Sequence, residues 1–336
     1  MSNEPIFSSL TQWSEAIRTR SISAYETLKI HLAQIDKYNP ALNVINVIDP
    51  EKALKRARAA DEAAARGESW GPLHGVPFTL KDAHCTAGMR TTVGFPPFAD
   101  YVPEEDSTVA ARLRLAGGIL FGKTNVATML GDYQTSNQLF GHTNNPWNLE
   151  RTPGGSSGGA AAALAAGMTP FEIGTDLSSS IRVPAHFCGI FGLKPTERRV
   201  PLTGLMPNPQ HLPWPIRMMN SIGPMARSVE DLELIYSIIA GSDGRDSDVQ
   251  PVPQVRVSAG FAQSSHLTAP AKGPALKGLI AVLLGYFGDS MVMDTHRVSF
   301  AGSVDLAVTL ASPFISAVVP PPITAHSGTQ PPPAAP

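Results

Sequence analysis

The chain has 336 residues, 43% of them hydrophobic and 16% charged, with a formal net charge of −2. This is enough apolar material to fill the core of one large domain or two small ones, and it excludes a disordered or fibrous chain. With Lys and Arg scattered and charge near balance, nothing electrostatic favours nucleic acid or an anionic membrane as partner, and two isolated cysteines, Cys85 and Cys188, form neither a disulfide framework nor a zinc site and read as small buried side chains.

In chain order, Met1-Ser2-Asn3-Glu4-Pro5 lacks the basic and apolar regions of a secretory signal, and no later apolar run is long enough to span a bilayer, so a cytoplasmic location is expected. Ser23-Ala24-Tyr25-Glu26 has the spacing of a capping box and opens a helix with Leu28, Leu32 and Ile35 on one face, which Asn39-Pro40 is expected to end. Asp49-Pro50 reads as N-cap and first residue of an Ala-rich helix that stops at Gly67. Short apolar runs at Val76–Leu80, Gly118–Phe121 and Phe171–Gly174 predict buried strands, whereas 108–116 and 157–166 have helical composition. Such alternation predicts an α/β layer fold. Residues 251–336 break the pattern, carrying 12 of the 31 prolines and only seven Lys, Arg, Asp or Glu. We therefore expect a domain over 1–250 and a divergent, Pro-rich, partly disordered segment over 251–336, with a strand surviving around Ala275–Val282 and no defined fold from 284 onward.

Three segments carry chemistry. Lys81 closes the apolar run of Gly75-Val76-Pro77-Phe78-Thr79-Leu80, where an ammonium is costly to bury unless it deprotonates or finds partners. Pro153-Gly154-Gly155-Ser156-Ser157-Gly158-Gly159 and Gly174-Thr175-Asp176-Leu177-Ser178-Ser179-Ser180-Ile181-Arg182 place serines in flexible backbone. A lysine and two serines can form a proton relay. Taken singly, each has a plainer reading: a Gly-rich loop with no Gly-Lys-Ser/Thr ending and hence no phosphate-loop pattern, a helix cap or turn, a solvated strand end. Lys123-Thr124-Asn125 reads as structural, and His74 and His186 as packing or loop residues.

The order of these segments resembles the amidase signature family, serine hydrolases with a Ser-Ser-Lys triad and no histidine. The resemblance runs from Asn39-Pro40-Ala41-Leu42-Asn43 through Leu115-Ala116-Gly117-Gly118-Ile119-Leu120-Phe121-Gly122-Lys123-Thr124-Asn125 and Phe140-Gly141-His142-Thr143-Asn144-Asn145-Pro146-Trp147-Asn148 to Gly223-Pro224-Met225-Ala226-Arg227-Ser228, about the first 245 residues. It implies a mixed central β-sheet flanked by helices on both sides, C-terminally incomplete, and amide hydrolysis through a serine acyl-enzyme. By position it implies Ser180 as nucleophile, Ser156 as bridging serine after a cis Gly155–Ser156 peptide, and Lys81 as base. Backbone N–H groups of Leu177, Ser178, Ser179 and Ser180 would bind the oxyanion, with Gly155, Thr175, Asp176 and Arg182 in support. No cofactor and no metal is implied, and the substrate is a small-molecule amide. Met129, Tyr133 and Gln134 could touch its acyl group. A homodimer is left open.

Ser178 and Ser179 stand where the commoner family pattern has two glycines; if that loop needs positive φ, each costs about 1–2 kcal/mol. With the C-terminal wall of the pocket expected to be missing as well, a catalytically weak or silent relative, or an amidotransferase-type subunit working with partners, is the alternative reading. A rival within hydrolases is the Gly154-Gly155-Ser156-Ser157-Gly158 match to a nucleophile elbow, which would make Ser156 the nucleophile; it requires a preceding strand, whereas Asn148–Thr152 is polar.

Overall fold

The computed structural model describes residues 5–249 and two strand segments, 281–285 and 306–310. Helix α1 (Leu10–Arg18) is closed at its start by a capping box between Ser9 and Gln12, and its first two N–H groups are taken by Asp231 at 2.8 and 2.9 Å. Helix α2 (Ala24–Leu42) begins at the expected Ser23 box but runs through Pro40. The correction has a local cause: Pro40 lies in the last turn, where its missing N–H forfeits one bond. The helix ends instead at Asn43, whose φ of 52° is left-handed, while Asn39 Oδ1 accepts the N–H groups of Val44 and Ile45. After β1 (Ile45–Ile48), α3 (Pro50–Ala65) starts as expected from Asp49, which accepts Lys52 N–H at 3.0 Å.

Strand β2 (Pro77–Lys81), helix α4 (Thr108–Leu115) and strand β3 (Ile119–Thr124) fall where periodicity places them, and both strands are buried throughout. A two-residue ribbon, β4 (Ser136–Asn137) with β5 (Gly141–His142), precedes α5 (Gly158–Ala165), whose residues 158–164 are all buried. Then follow β6 (Phe171–Asp176), α6 (Arg182–Cys188), β7 (Phe191–Leu193), α7 (Trp214–Met219), β8 (Ser221–Ala226) and α8 (Val229–Ile239). Strands β9 (Ala281–Gly285) and β10 (Leu306–Leu310) complete the order.

The strands form a three-stranded sheet, β1-β3-β2, and a five-stranded one, β10-β9-β7-β8-β6, besides the small ribbon. Both large sheets are mixed: β2 and β3 are parallel and β1 antiparallel to β3, while β7 and β9 are parallel and the remaining ladders antiparallel. Their edges meet where Phe78 of β2 stacks on Phe171 of β6 at 5.1 Å and Thr79 N–H donates to Thr169 Oγ1 at 3.2 Å. Helices α2 and α3 pack beside the first sheet, α5 lies over the junction of the two, and α8 backs β7 and β8. The fold is thus α/β with mixed sheet and packed helices. It brings the C-terminal ends of β2 and β6 together, and with them Lys81 and Asp176.

Of the strand expected around Ala275–Val282, residues 281 and 282 fall in β9, with Val282 opposite Gly192, and 275–280 lie outside the described residues. Position 284 falls inside β9, and β10 pairs with it antiparallel, Leu306–Leu310 meeting Ala281–Gly285 in an unbroken ladder without a bulge. The rest of the Pro-rich segment lies outside the described residues. Cys188 is buried as expected, whereas Cys85 is only partly so.

Candidate active site

Lys81 is the last residue of β2 and is fully buried. Its Nζ donates to three hydroxyls: Ser156 Oγ at 2.8 Å, Ser157 Oγ at 2.8 Å and Thr175 Oγ1 at 2.7 Å. Burial lowers its pKa from the ordinary 10.5 to about 7, against the opposing pull of the Asp176 and Glu172 carboxylates. A lysine in this position is poised to exchange a proton near neutrality.

Ser156 follows a cis Gly155–Ser156 peptide, as the family resemblance implies, and no strand precedes it, so the nucleophile-elbow geometry is absent there. Gly155 is forced by close approach: a Cβ on it would stand 2.7 Å from Asp132 O and 2.8 Å from Gln134 N. Ser157, the first residue before α5, escaped sequence reasoning. Its hydroxyl joins Lys81 to the Thr175 backbone, accepting Thr175 N–H at 3.4 Å and facing Thr175 O at the same distance. Two adjacent serines were the available signal, but that both face the lysine depends on how α5 docks.

Ser180 is 7% exposed, and its carbonyl accepts Ser157 N–H at 3.2 Å, so the two serine segments are tied together by backbone. Among the described residues no hydrogen bond joins the Ser156 and Ser180 hydroxyls. Asp176, at the end of β6, organises the loop between. Its Oδ1 accepts Ser179 N–H at 2.8 Å and Oδ2 accepts Ile181 N–H at 3.1 Å, and Arg182 pairs with both oxygens. Ser179 N–H is spent on Asp176, whereas those of Leu177, Ser178 and Ser180 have no hydrogen-bond partner among the described residues. Of the two serines in glycine positions, Ser179 alone has positive φ, at 84°.

A second buried lysine supports the floor of the site. Lys123 on β3 donates to the His84 carbonyl, to Thr86 Oγ1 at 3.1 Å and to Thr91 Oγ1 at 3.0 Å, fastening the loop that follows Lys81. Burial brings its pKa down to about 8 and raises that of neighbouring Glu172, which accepts from Thr124 at 3.0 Å, to about 7. Lys123 is structural, as read from sequence. So is His74, buried between Trp70 N–H and the Ala60 carbonyl, while His186 is exposed on α6. Of the three residues expected near the acyl group, Tyr133 reaches the loop before Ser180, donating to Ser178 O at 2.7 Å. Among the described residues no three His, Cys, Asp or Glu are grouped to hold a metal ion, and no helix is long and apolar enough to cross a membrane.

A sequence model described as Amidase matches residues 26–298 of the chain. The chain belongs to the amidase family. A glutamyl-tRNA(Gln) amidotransferase subunit of Synechococcus sp. (strain CC9902) is 42% identical over 255 residues, which are 76% of this chain and 50% of that protein. Among solved structures, a bacterial aryl acylamidase of the amidase signature family superposes with a TM-score of 0.68 at 31% identity, over 74% of this chain and 51% of that one. Fatty acid amide hydrolase gives a TM-score of 0.68 at 28% identity, over 74% and 44%. The chain spans about half the length of the amidase relatives it matches.

Proposed function

We propose that this amidase-family chain cleaves small carboxylic amides to acid and ammonia or amine through a Ser180 acyl-enzyme. The observation that carries the reading is Lys81, buried, near neutrality in its proton affinity, and shared among three hydroxyls of the two serine segments. Neutral Lys81 takes the proton of Ser156 Oγ, and Ser156 takes that of Ser180 Oγ as the Ser180 oxygen attacks the amide carbon. The Oγ–C bond forms, and the oxyanion is met by the N–H groups of Leu177, Ser178 and Ser180. Ser156 then returns its proton to the nitrogen as the C–N bond breaks, and Lys81 restores the proton of Ser156. Water, deprotonated along the same path, releases the acid. The Ser156-to-Ser180 link belongs to the substrate complex, since catalytic hydrogen bonds commonly tighten only there.

The test is covalent labelling with a serine-reactive fluorophosphonate, read by intact mass and peptide mapping. One label on Ser180, lost in Ser180→Ala, supports the reading. A label on Ser156 would make that residue the nucleophile, and an unlabelled wild-type chain would make this a silent member of the family. A second reading is favoured by the relatives named as glutamyl-tRNA(Gln) amidotransferase subunits: the same acyl-enzyme chemistry would supply ammonia to a partner protein. Labelled protein with little free amidase turnover, restored by a partner, would select it.

A further inference from the structure

The segment 132–134 touches both serine loops. Its backbone lies against Gly155, so closely that a Cβ there would stand 2.7 Å from Asp132 O and 2.8 Å from Tyr133 C. Its side chain crosses to the other loop, where Tyr133 Oη donates to Ser178 O at 2.7 Å and lies 3.0 Å from Ser178 Oγ. The ring is 50% exposed, so burial of its apolar surface does not account for its placement. Just upstream, Met129 and Leu130 hold φ values of 51° and 62°, a conformation that side chains rarely adopt without a constraint.

We infer that Tyr133 is a positioning residue, a latch that fixes the Ser178–Ser179 peptide plane and so aims the free N–H groups around Ser180. The inference rests on the acyl-enzyme reading for its catalytic consequence but not for its geometry. A peptide has its C=O and N–H on opposite edges. Here the Ser178 carbonyl is held by Tyr133 and the Ser179 N–H by Asp176, so both edges are tied, to two different elements. With this plane fixed, the neighbouring amides of Ser178 and Ser180 cannot swing independently. A backbone turned by a left-handed residue, as Ser179 is, presents successive N–H groups to an anion. A glycine at 178 would offer Tyr133 its carbonyl alone; the serine hydroxyl doubles the contact.

The experiment compares wild type, Tyr133→Phe and Ser178→Gly by two readouts. Amide hydrogen exchange over 177–182 reads the latch itself, and fluorophosphonate labelling over a range of probe concentrations reads its consequence. Removing the tyrosine hydroxyl misaligns the donors without deleting one, so the maximal labelling rate of Tyr133→Phe should fall about tenfold, short of the roughly 100-fold or more for a lost donor. The half-saturating probe concentration should stay unchanged, exchange should quicken, and Ser178→Gly should lie between. Unchanged exchange in Tyr133→Phe overturns the latch whether or not Ser180 labels. Faster exchange with an undiminished labelling rate, or a change confined to half-saturation, overturns its positioning role. Faster exchange in a protein that never labels retires the acyl-enzyme reading and leaves the latch standing.

Discussion

Asp176 and Arg182 clasp each other across the loop that carries Ser180, Arg182 Nε at 3.0 Å from Oδ2 and Nη2 at 2.9 Å from Oδ1. The two-pronged geometry leaves the carboxylate oxygens free to accept backbone N–H groups as well, Oδ1 that of Ser179 and Oδ2 those of Ile181 and Arg182. Burial pushes the Asp176 carboxyl up, but Arg182 and these N–H groups outweigh it and hold it below its ordinary 3.8. The pair therefore shapes the loop and ties its ionisation to folding.

Asp176→Asn should cost about 3–5 kcal/mol, the range for a buried ion pair deprived of one partner, and should strongly reduce labelling of Ser180. Because the folded carboxyl is the stronger acid, its contribution is present above pH 3.8 and lost as pH falls through the lower folded value. Thermal denaturation of both proteins from neutral to strongly acidic pH checks this: the gap between them should close only in acid.

Lys81 gives a prediction in a higher pH window. Folded Lys81 releases its proton at about 7 instead of 10.5, so the neutral base accumulates as pH rises through 7. The labelling rate at Ser180 should rise with pH around that midpoint and level off above it, and Lys81→Ala should abolish it while leaving the fold. Between 7 and 10.5 the unfolded chain binds the additional proton, so Lys81 makes stability rise with pH across that window. Lys81→Met should lack that part of the slope in denaturant titrations.

What the sequence made legible follows the range of the interactions. The starts of α2 and α3 were readable because Ser23 with Glu26 and Asp49 with Pro50 act over three residues or fewer. The end of α2 was not, because the Asn39 side chain collects the N–H groups beyond it and makes Pro40 tolerable. Lys81, Ser156 and Asp176 could be placed from motif order. The Ser157 and Tyr133 contacts could not, since each joins segments 76 or 45 residues apart and depends on how α5 and the 132–134 segment dock. The engagement of Ser179 N–H by Asp176 was likewise hidden, being set by the turn of the loop and not by residue type.

Gly155→Ala tests how tightly the two serine segments are packed. The atoms a methyl group would meet, Asp132 O, Tyr133 C and Gln134 N, are backbone and cannot rotate away. Overpacking of this kind costs about 1–3 kcal/mol, and segment 132–134 would have to retreat from Gly155. The variant should melt earlier than wild type and label at Ser180 far more slowly. Full stability with wild-type labelling would mean that 132–134 is not held against Gly155.

Ser179→Gly should act in the opposite direction. Serine at a φ of 84° carries a left-handed penalty of about 1–2 kcal/mol, which glycine removes, while glycine adds an unfolded-state entropy cost of about 0.5–1 kcal/mol. No hydrogen bond from the Ser179 hydroxyl is found among the described residues, so its removal forfeits none. The bond that matters, Ser179 N–H to Asp176 at 2.8 Å, is backbone and survives the substitution. The net expectation is a gain of about 0–1.5 kcal/mol, visible as a higher melting temperature, with labelling of Ser180 at least as fast as in wild type. A lower melting temperature would show that the serine side chain contributes to the loop in some way its backbone geometry does not reveal, and the strain assigned to position 179 would have to be withdrawn.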